Sequence, residues 1–180
     1  MKFSINKNVL LKSLNSVGRA ASVHSPLPVL SGIKVSARET GLWLLASDTN
    51  ITIQECIEIN DDNKLVIDKY GEVVLDARYI LEAVRKLDSN IVSIEIIDGA
   101  LTRISGNKAE YEINGVEARS FPSIDLEKPS IGFKISAYKL KEIITQTAFA
   151  CSTTEERPIF TGVNFIADNN QLTAVATNSY

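Results

Sequence analysis

Apolar positions near the start of the chain alternate first at a strand spacing and then at a helical spacing. Lys2–Ile5 alternates and predicts a strand, and Asn6 is a suitable N-cap for a helix that Gly18 ends. The apolar face of that helix holds Leu10, Leu11, Leu14 and Val17. Strands are predicted next over Val29–Ser36, Leu42–Ser47 and Ile51–Ile59. The first unit is therefore predicted as a strand, a helix and three strands.

A second unit with the same order of elements begins near Gly71. Val73–Leu75 predicts a strand, Asp76 an N-cap, and Ala77–Leu87 a helix. Strands follow at Ile91–Ile97, Leu101–Ser105 and Ala109–Ile113, and the dipeptides Asp98-Gly99 and Gly106-Asn107 between them are hairpin signals. Lys64–Asp68 is either an extra strand or part of the connection between the two units.

A third unit follows a linker. Phe121–Ser130 holds two prolines and no periodicity, so we place a domain boundary there, near Glu127. Phe133–Ile135 predicts a strand, and Ser136 caps a helix over Ala137–Phe149. The predicted domains are residues 1–126, with two half-repeats, and 127–180, the first half of a second domain. Repeated units of one helix and mostly antiparallel strands predict an α+β fold, with helices on one side and sheets on the other.

An internal repeat supports this division. Pro28–Asn50 aligns without a gap with Pro158–Tyr180, 130 positions later. The identical pairs are Pro28/Pro158, Gly32/Gly162, Ala37/Ala167, Leu42/Leu172 and Ala46/Ala176. A weaker copy, offset by 70 positions, relates Phe3–Val17 to Val73–Leu87. The chain is therefore built from related half-domain units.

Charge is segregated, although the net charge is only −3 at pH 7. The predicted helices carry an excess of cations, and the acids lie mainly in strands and loops. The cations of the first two helices and their exits are Lys7, Lys12, Arg19, Arg78, Arg85 and Lys86, against the single acid Glu82. Such a helical face could contact phosphates, or it could be an ordinary solvated surface.

The sequence offers little for catalysis or for metal binding. One histidine and two isolated cysteines, Cys56 and Cys151, make neither a metal-ligand set nor a nucleophile with its base. There is no glycine-rich phosphate loop and no apolar run that could span a bilayer, and we expect no signal peptide. We therefore expect a cytoplasmic protein that is not an enzyme and has no cofactor.

Several segments, in order, resemble one family: KFSINKNVLLKSL, LPVLSGIKV, GLWLLASD, DARYILEAVRKL, FPSI and TGVNF. Together they resemble the bacterial sliding clamp, the beta subunit of DNA polymerase III. The resemblance covers the whole chain and implies a DNA-clamp fold of three domains. Two chains then close head-to-tail into a ring, with helices lining the DNA side and sheets on the outer rim. This sequence would stop inside the second domain, without the third.

The resemblance implies a processivity factor that encircles duplex DNA without reading its sequence and tethers the replicative polymerase. The alternative is a protein-interaction scaffold with no nucleic-acid role. The DNA-binding residues carried over are Lys12, Arg19, His24, Arg78, Arg85, Lys86, Thr153, Thr154 and Arg157. The family often has a cation near position 24, so His24 predicts a weaker contact there.

Two protein-binding surfaces are also implied. The first is a pocket for short linear motifs of polymerases and of the clamp loader, formed by Arg157, Phe160, Thr177, Ser179 and Tyr180. Ser179-Tyr180 departs from the Gly-His that family members often have, which leaves the depth of this pocket open. The second is the interface that closes the homodimeric ring, with Tyr79, Ala83 and Leu87 on the second helix. That stripe could equally belong to the core.

Overall fold

The computed structural model describes residues 1–22, 25, 27–126, 130, 132–154, 156–169 and 171–179. They form two compact units, Met1–Ile124 and Asp125–Tyr180. Glu127, near which the boundary is predicted, lies outside the described residues. Within the described ranges, no helix combines the length and the apolar character needed to cross a membrane.

The first unit contains the helices α1 (Lys7–Val17) and α2 (Ala77–Lys86). Its strands are β1 (Lys2–Asn6), β2 (Gly32–Arg38), β3 (Gly41–Ser47), β4 (Thr52–Ile57), β5 (Val66–Lys69), β6 (Gly71–Asp76), β7 (Ile91–Asp98), β8 (Leu101–Gly106) and β9 (Ala109–Asn114). The ambiguous segment Lys64–Asp68 thus contributes a strand, because β5 pairs with β1.

Both helices begin at the predicted N-caps. Asn6 Oδ1 accepts hydrogen bonds from the amides two and three residues later, at 2.9 and 3.3 Å. Asp76 Oδ1 does the same at 3.0 and 3.2 Å. Each cap satisfies amides that have no partner within the helix. The two caps lie 70 positions apart, so the repeat includes the chemistry that starts the helix.

Two antiparallel sheets share the strands of both halves. Their orders are β5-β1-β7-β8-β9 and β4-β3-β2-β6. The first strand of each half joins the sheet of the other half, since β1 pairs with β7 and β6 pairs with β2. The registers agree: Ile5 faces Val92, and the equivalent Leu75 faces Ile33. The two halves are therefore related by an approximate two-fold arrangement.

Helices and sheets enclose one main core. Phe3, Leu10, Leu14, Ile80 and Val84 are fully buried in it, as their spacing predicts. A smaller cluster joins Leu30, Val74 and Phe121, with Val29, Leu45 and Ile124 packed against it. The linker residues Phe121 and Ile124 thus cover apolar side chains of the first unit.

Two predicted strands in this unit are shorter than expected. The segment Val29–Ser36 starts with a 3₁₀ turn, Pro28–Ser31, and the strand begins at Gly32. Proline at the first position favours this turn, because its fixed φ suits a helix start and it has no amide to donate. Ile51–Ile59 is extended only over Thr52–Ile57, and Ile51 and Ile59 are exposed.

The second unit contains α3 (Ala137–Thr147), β10 (Asn164–Asp168) and β11 (Gln171–Val175). Ser136 caps α3 as predicted, with its side chain 3.2 Å from the amide of Lys139. The strand predicted at Phe133–Ile135 is absent from this described segment. Its counterpart β1 pairs with β5 and β7, and the described part of the second unit contains no strand equivalent to them.

The repeat of 130 positions is reproduced in three dimensions. Ala37 faces Leu42 between β2 and β3, and Ala167 faces Leu172 between β10 and β11. All the partners of β10 and β11 match those of β2 and β3 after the same shift. The 3₁₀ turn recurs as well, at Pro158–Phe160.

Candidate functional site

A groove lies between the end of α1 and the start of α2, which run in opposite directions. It has a volume of about 370 Å³, and it is lined by residues that include Asn15, Gly18, Arg19, Ser31 and Arg78. Both arginines belong to the predicted DNA-binding set, and both side chains are exposed. The fold therefore brings together two cations that lie far apart in the sequence.

Tyr79 orients one of these cations. The Arg78 guanidinium lies 4.7 Å from the centroid of the Tyr79 ring, and it donates a 2.9 Å hydrogen bond to the Tyr79 hydroxyl. Stacking on an aromatic ring restrains the guanidinium and leaves donors for a further acceptor. The sequence predicted Tyr79 in the ring interface or in the core, and not as a partner of a DNA-binding cation. The adjacency of Arg and Tyr in the chain was the available signal.

The remaining cations of the helices differ in how far they are compensated. Arg85 forms an ion pair with Glu82 on the same helix. Lys7 donates to the main-chain oxygen of Leu87. Lys12, Arg19 and Lys86 are exposed, and they have neither an ion pair nor a hydrogen bond to another described residue. Uncompensated cations give the helical side of this unit a positive character.

The other residues that were predicted to contact DNA are spread over different parts of the surface. Lys12 lines a groove between α1 and β4, and Lys86 lines a groove between α2 and β9. In the second unit, Thr153, Thr154 and Arg157 are exposed. His24 lies outside the described residues.

Charged side chains are paired on the face of the larger sheet that points away from the core. A row of alternating charge crosses four strands, from Lys2 to Glu95, Arg103 and Glu112. Arg103 Nη2 lies 2.7 Å from Glu112 Oε1, and Lys2 Nζ lies 3.4 Å from Glu95 Oε2. The hydrogen bond to Glu112, together with the charge of Glu110, raises the pKa of Arg103. This face of the sheet therefore carries paired charges of both signs and not acids alone.

The groove between α2 and β9 is more apolar than the groove between α1 and β4. Tyr79, Ala83, Tyr111 and Ile113 contribute to its lining, and its volume is about 450 Å³. Tyr79 and Tyr111 are exposed, whereas Leu87 is fully buried. Leu87 is therefore a core residue, and its assignment to a surface interface was wrong. The contribution of β9 was missed, because the position of a strand at a sheet edge depends on the order of all the strands.

A second groove lies wholly in the second unit. Phe160 and Thr177 line it together with residues 158–164 and 175–176, and its volume is about 520 Å³. Two other members of the predicted pocket have main-chain roles. The carbonyl of Arg157 accepts a hydrogen bond from the Phe160 amide at 3.0 Å, and the amide of Ser179 donates to Thr177 Oγ1 at 3.0 Å. Tyr180 lies outside the described residues.

The first unit shows what such a groove can hold. After a shift of 130 positions, Val29, Leu30 and Leu45 correspond to residues 159, 160 and 175 of the second groove. In the first unit these three side chains lie in the cluster that holds Phe121 and Ile124 of the linker. In the first unit, the equivalent positions therefore pack against one aromatic and one aliphatic side chain.

The described residues contain no group of three or more His, Cys, Asp or Glu that could hold a metal ion. Cys56 and Cys151 are half-buried thiols that are not joined in a disulfide. Partial burial and the nearby Glu58 raise the pKa of the Cys56 thiol, which makes it a weaker nucleophile.

The sequence matches a known family over nearly the whole chain. A family model of the DNA polymerase III beta subunit N-terminal domain matches residues 1–125, and the central-domain model matches residues 134–180. The chain belongs to the DNA polymerase III beta subunit family. This membership favours a sliding clamp over the scaffold alternative.

Solved structures agree with this assignment. The chain resembles the DNA polymerase sliding clamp of Bacillus subtilis with a TM-score of 0.95 and 38% identity, covering 99% of this chain and 48% of that one. The beta chain from Streptococcus pneumoniae TIGR4 gives a TM-score of 0.94 at 34% identity, with the same coverage. The curated beta sliding clamp of Bacillus subtilis strain 168 is 38% identical over 182 residues. The chain spans about half the length of the relatives that it matches.

Proposed function

We propose that the full-length protein is a replication processivity factor, a homodimeric ring that slides on duplex DNA in the cytoplasm and tethers the replicative polymerase. It performs no chemistry itself and needs no cofactor. Residues 1–126 are its first clamp domain, and residues 127–180 begin its second. Family membership supports the class of function, and the distribution of charge supports the mode of DNA contact.

The groove between α1 and α2 is the observation that carries the proposal. Arg19 and Arg78 line it, and Arg19 has no ion pair within the described residues. Cations that contact phosphates position a protein on DNA without reading its sequence. A ring with such contacts on its inner side can slide, since equivalent phosphates recur along the duplex.

Ring closure would use the edge formed by α2 and β9. This edge offers exposed apolar area from Tyr79 and Tyr111 beside the smaller side chain of Ala83. It also offers the unpaired side of β9, which is the last strand of its sheet. An edge strand can extend a sheet across a subunit boundary.

Partner recognition would use the groove that contains Phe160 and Thr177. Polymerases and the clamp loader would insert apolar side chains of a short linear motif there. The way Phe121 and Ile124 pack in the equivalent cluster of the first unit supports this chemistry. Replacing Phe160 with alanine should weaken the binding of such a peptide, and replacing the exposed Phe149 should not.

The decisive experiment loads the full-length protein onto nicked circular DNA and then linearises the circle. A ring that is held by topology leaves the linear DNA within seconds to minutes, while it persists on the closed circle. Blocking both ends of the linear DNA should restore retention. Equal retention on circular and on open linear DNA would contradict encirclement.

A further inference from the structure

Helix α2 separates the groove that is proposed to contact DNA from the groove that is proposed to close the ring. The side of α2 toward α1 contributes Arg78 and Leu81 to the first groove. Four residues on its other side line the second groove: Tyr79, Glu82, Ala83 and Lys86. Spacings of three and four positions place residues on one face of a helix. A side chain that reaches around α2 can therefore join the two grooves.

Arg78 and Tyr79 are neighbours in the chain that line different grooves and contact each other. Arg78 Nη2 donates a 2.9 Å hydrogen bond to the Tyr79 hydroxyl, and the guanidinium lies over the Tyr79 ring. The guanidinium has further donors, so it can still bind a phosphate. Tyr79 itself is 53% exposed in the groove between α2 and β9. One aromatic side chain thus belongs to the ring-closing edge and also holds a cation of the DNA groove.

The internal repeat indicates that this contact is not needed to build the helix. At the equivalent places, 70 positions earlier, α1 has Asn8 and Val9. Val9 offers neither a hydroxyl nor an aromatic ring, and α1 still forms with the same kind of N-cap as α2. The pair of Arg78 and Tyr79 is therefore a feature that α2 has in addition to what the fold requires.

We propose that Tyr79 couples ring closure to DNA contact by positioning Arg78. The inference rests on the proposed function, because it takes the α2–β9 edge of one chain to be covered by the opposite end of the second chain. A covered tyrosine ring loses its freedom to turn, so the guanidinium that it holds is fixed before DNA binds. Ordering Arg78 then costs less conformational entropy in the closed ring than in the open chain.

The coupling acts in both directions. If the closed ring binds DNA more tightly through Arg78, then bound DNA must stabilise the closed ring by the same factor. DNA therefore strengthens the edge that keeps it enclosed. Loss of the Tyr79 hydroxyl should weaken DNA binding and the stabilisation of the ring by DNA together.

The test uses the full-length protein and removes a single hydroxyl. Tyr79→Phe deletes the acceptor for Arg78 and keeps an aromatic ring at the edge. The matched control is Tyr70→Phe, because Tyr70 is exposed and its hydroxyl has no partner among the described residues. Fluorescence anisotropy with a short duplex measures the DNA affinity. Energy transfer between labelled subunits over a dilution series, with and without the duplex, gives the dissociation constant of the ring.

We expect Tyr79→Phe to weaken DNA binding by about threefold to tenfold, which corresponds to the loss of one hydrogen bond. The same substitution should have no effect on DNA binding when it is added to R78Q. The duplex should lower the dissociation constant of the wild-type ring by a larger factor than that of the Tyr79→Phe ring. Tyr70→Phe should match the wild type in both measurements.

Three results would overturn the inference. If Tyr79→Phe binds DNA as tightly as the wild type, the hydroxyl does not position Arg78. If the substitution weakens binding equally in R78Q, Tyr79 acts through another group. If DNA binding weakens but the effect of DNA on the ring is unchanged, the two grooves are not coupled.

Failure of the proposed function has different signs. Tyr111→Glu places a charge on the exposed part of the same edge and should raise the dissociation constant of the ring. If it does not, the ring closes elsewhere and the inference falls with that assignment. Failure of encirclement appears as equal retention of the wild-type protein on circular and on linear DNA, which does not depend on the Tyr79 hydroxyl.

Discussion

The ammonium group of Lys7, in the first turn of α1, donates a 2.5 Å hydrogen bond to the main-chain oxygen of Leu87, just beyond the end of α2. A cation at this position satisfies a carbonyl that has no partner within the helix, and it opposes the negative end of the helix dipole. The bond also joins the two halves of the first unit. A lysine that looks in the sequence like part of a DNA-binding face therefore has a structural role.

Replacing Lys7 with methionine should lower the free energy of unfolding by about 1–2 kcal/mol, because a charged hydrogen bond is removed and its acceptor is left without a partner. Urea denaturation of the chain measures the change as a lower midpoint at an unchanged slope. The control is Lys12→Met on the same helix, whose exposed side chain has no partner among the described residues. An equal decrease in both variants would mean that the bond to Leu87 contributes nothing specific.

Neutralising the groove cations should reduce the salt dependence of DNA binding. For the full-length protein on a short duplex, R19Q/R78Q should weaken binding and lower the slope of log K against log salt by about 0.9 for each phosphate that is no longer neutralised. Fluorescence anisotropy across a salt series measures both. Arg85→Gln is the matched control, since Arg85 is already paired with Glu82. If Arg85→Gln lowers the slope as much as the replacement of one groove arginine does, the groove is not the specific site of phosphate contact.

The stability of the turn after β3 depends on the charge of Asp48, and therefore on pH. Its Oδ1 accepts hydrogen bonds from the amides of Ile51 and Asn50 at 2.7 and 2.8 Å, and these bonds lower the pKa of Asp48. A lowered pKa in the folded state means stabilisation above the unfolded pKa of about 4, which is lost as pH falls through the folded value. The stability difference between the wild type and Asp48→Ala should therefore be largest near neutral pH and should shrink in acid.

Stability measured by urea at several pH values tests this dependence. Asp62→Ala is the control, because Asp62 lies in a turn and accepts no hydrogen bond from the described residues. A difference for Asp48→Ala that is constant from neutral pH down to about pH 2 would contradict the linkage.

Gly115 allows the chain to pass close to the smaller sheet. A Cβ atom at this position would lie 2.7 Å from the carbonyl oxygen of Ala100 and 2.9 Å from that of Val74. Main-chain atoms on both sides leave little room to move, so Gly115→Ala should destabilise the first unit by about 1–3 kcal/mol. Gly162→Ala is the control, because a Cβ there would meet no atom within 4 Å. Equal thermal midpoints for the two variants would rule out the crowding.

Helices were easier to predict from this sequence than strand ends. A capping side chain and a helical apolar spacing are local signals, and they located the starts of α1, α2 and α3 correctly. The strand at Phe133–Ile135 was wrong because a strand needs a partner, and pairing in this fold reaches across the repeat. The predicted start of the next strand at Val29 was wrong because Pro28 begins a 3₁₀ turn, and β2 starts only at Gly32.

The candidate sites were predictable as residue types but less so as surfaces. Arg19 and Arg78 follow from charge and resemblance, yet only the fold places them in one groove. Apolar spacing could not separate Leu87, which is buried, from Tyr79, which is exposed. Tyr111 of β9 faces Ile104 of β8 because of a strand register that sequence spacing does not define.

The exchange of β1 and β6 between the sheets has a consequence for how such a unit folds. One half alone would lack the strand that the other half contributes to its sheet, and two copies of it could supply that strand to each other, as domain-swapped dimers do. In the intact unit the exchange imposes a delay: β1 is synthesised first, but it can pair with β7 only after most of the unit has left the ribosome.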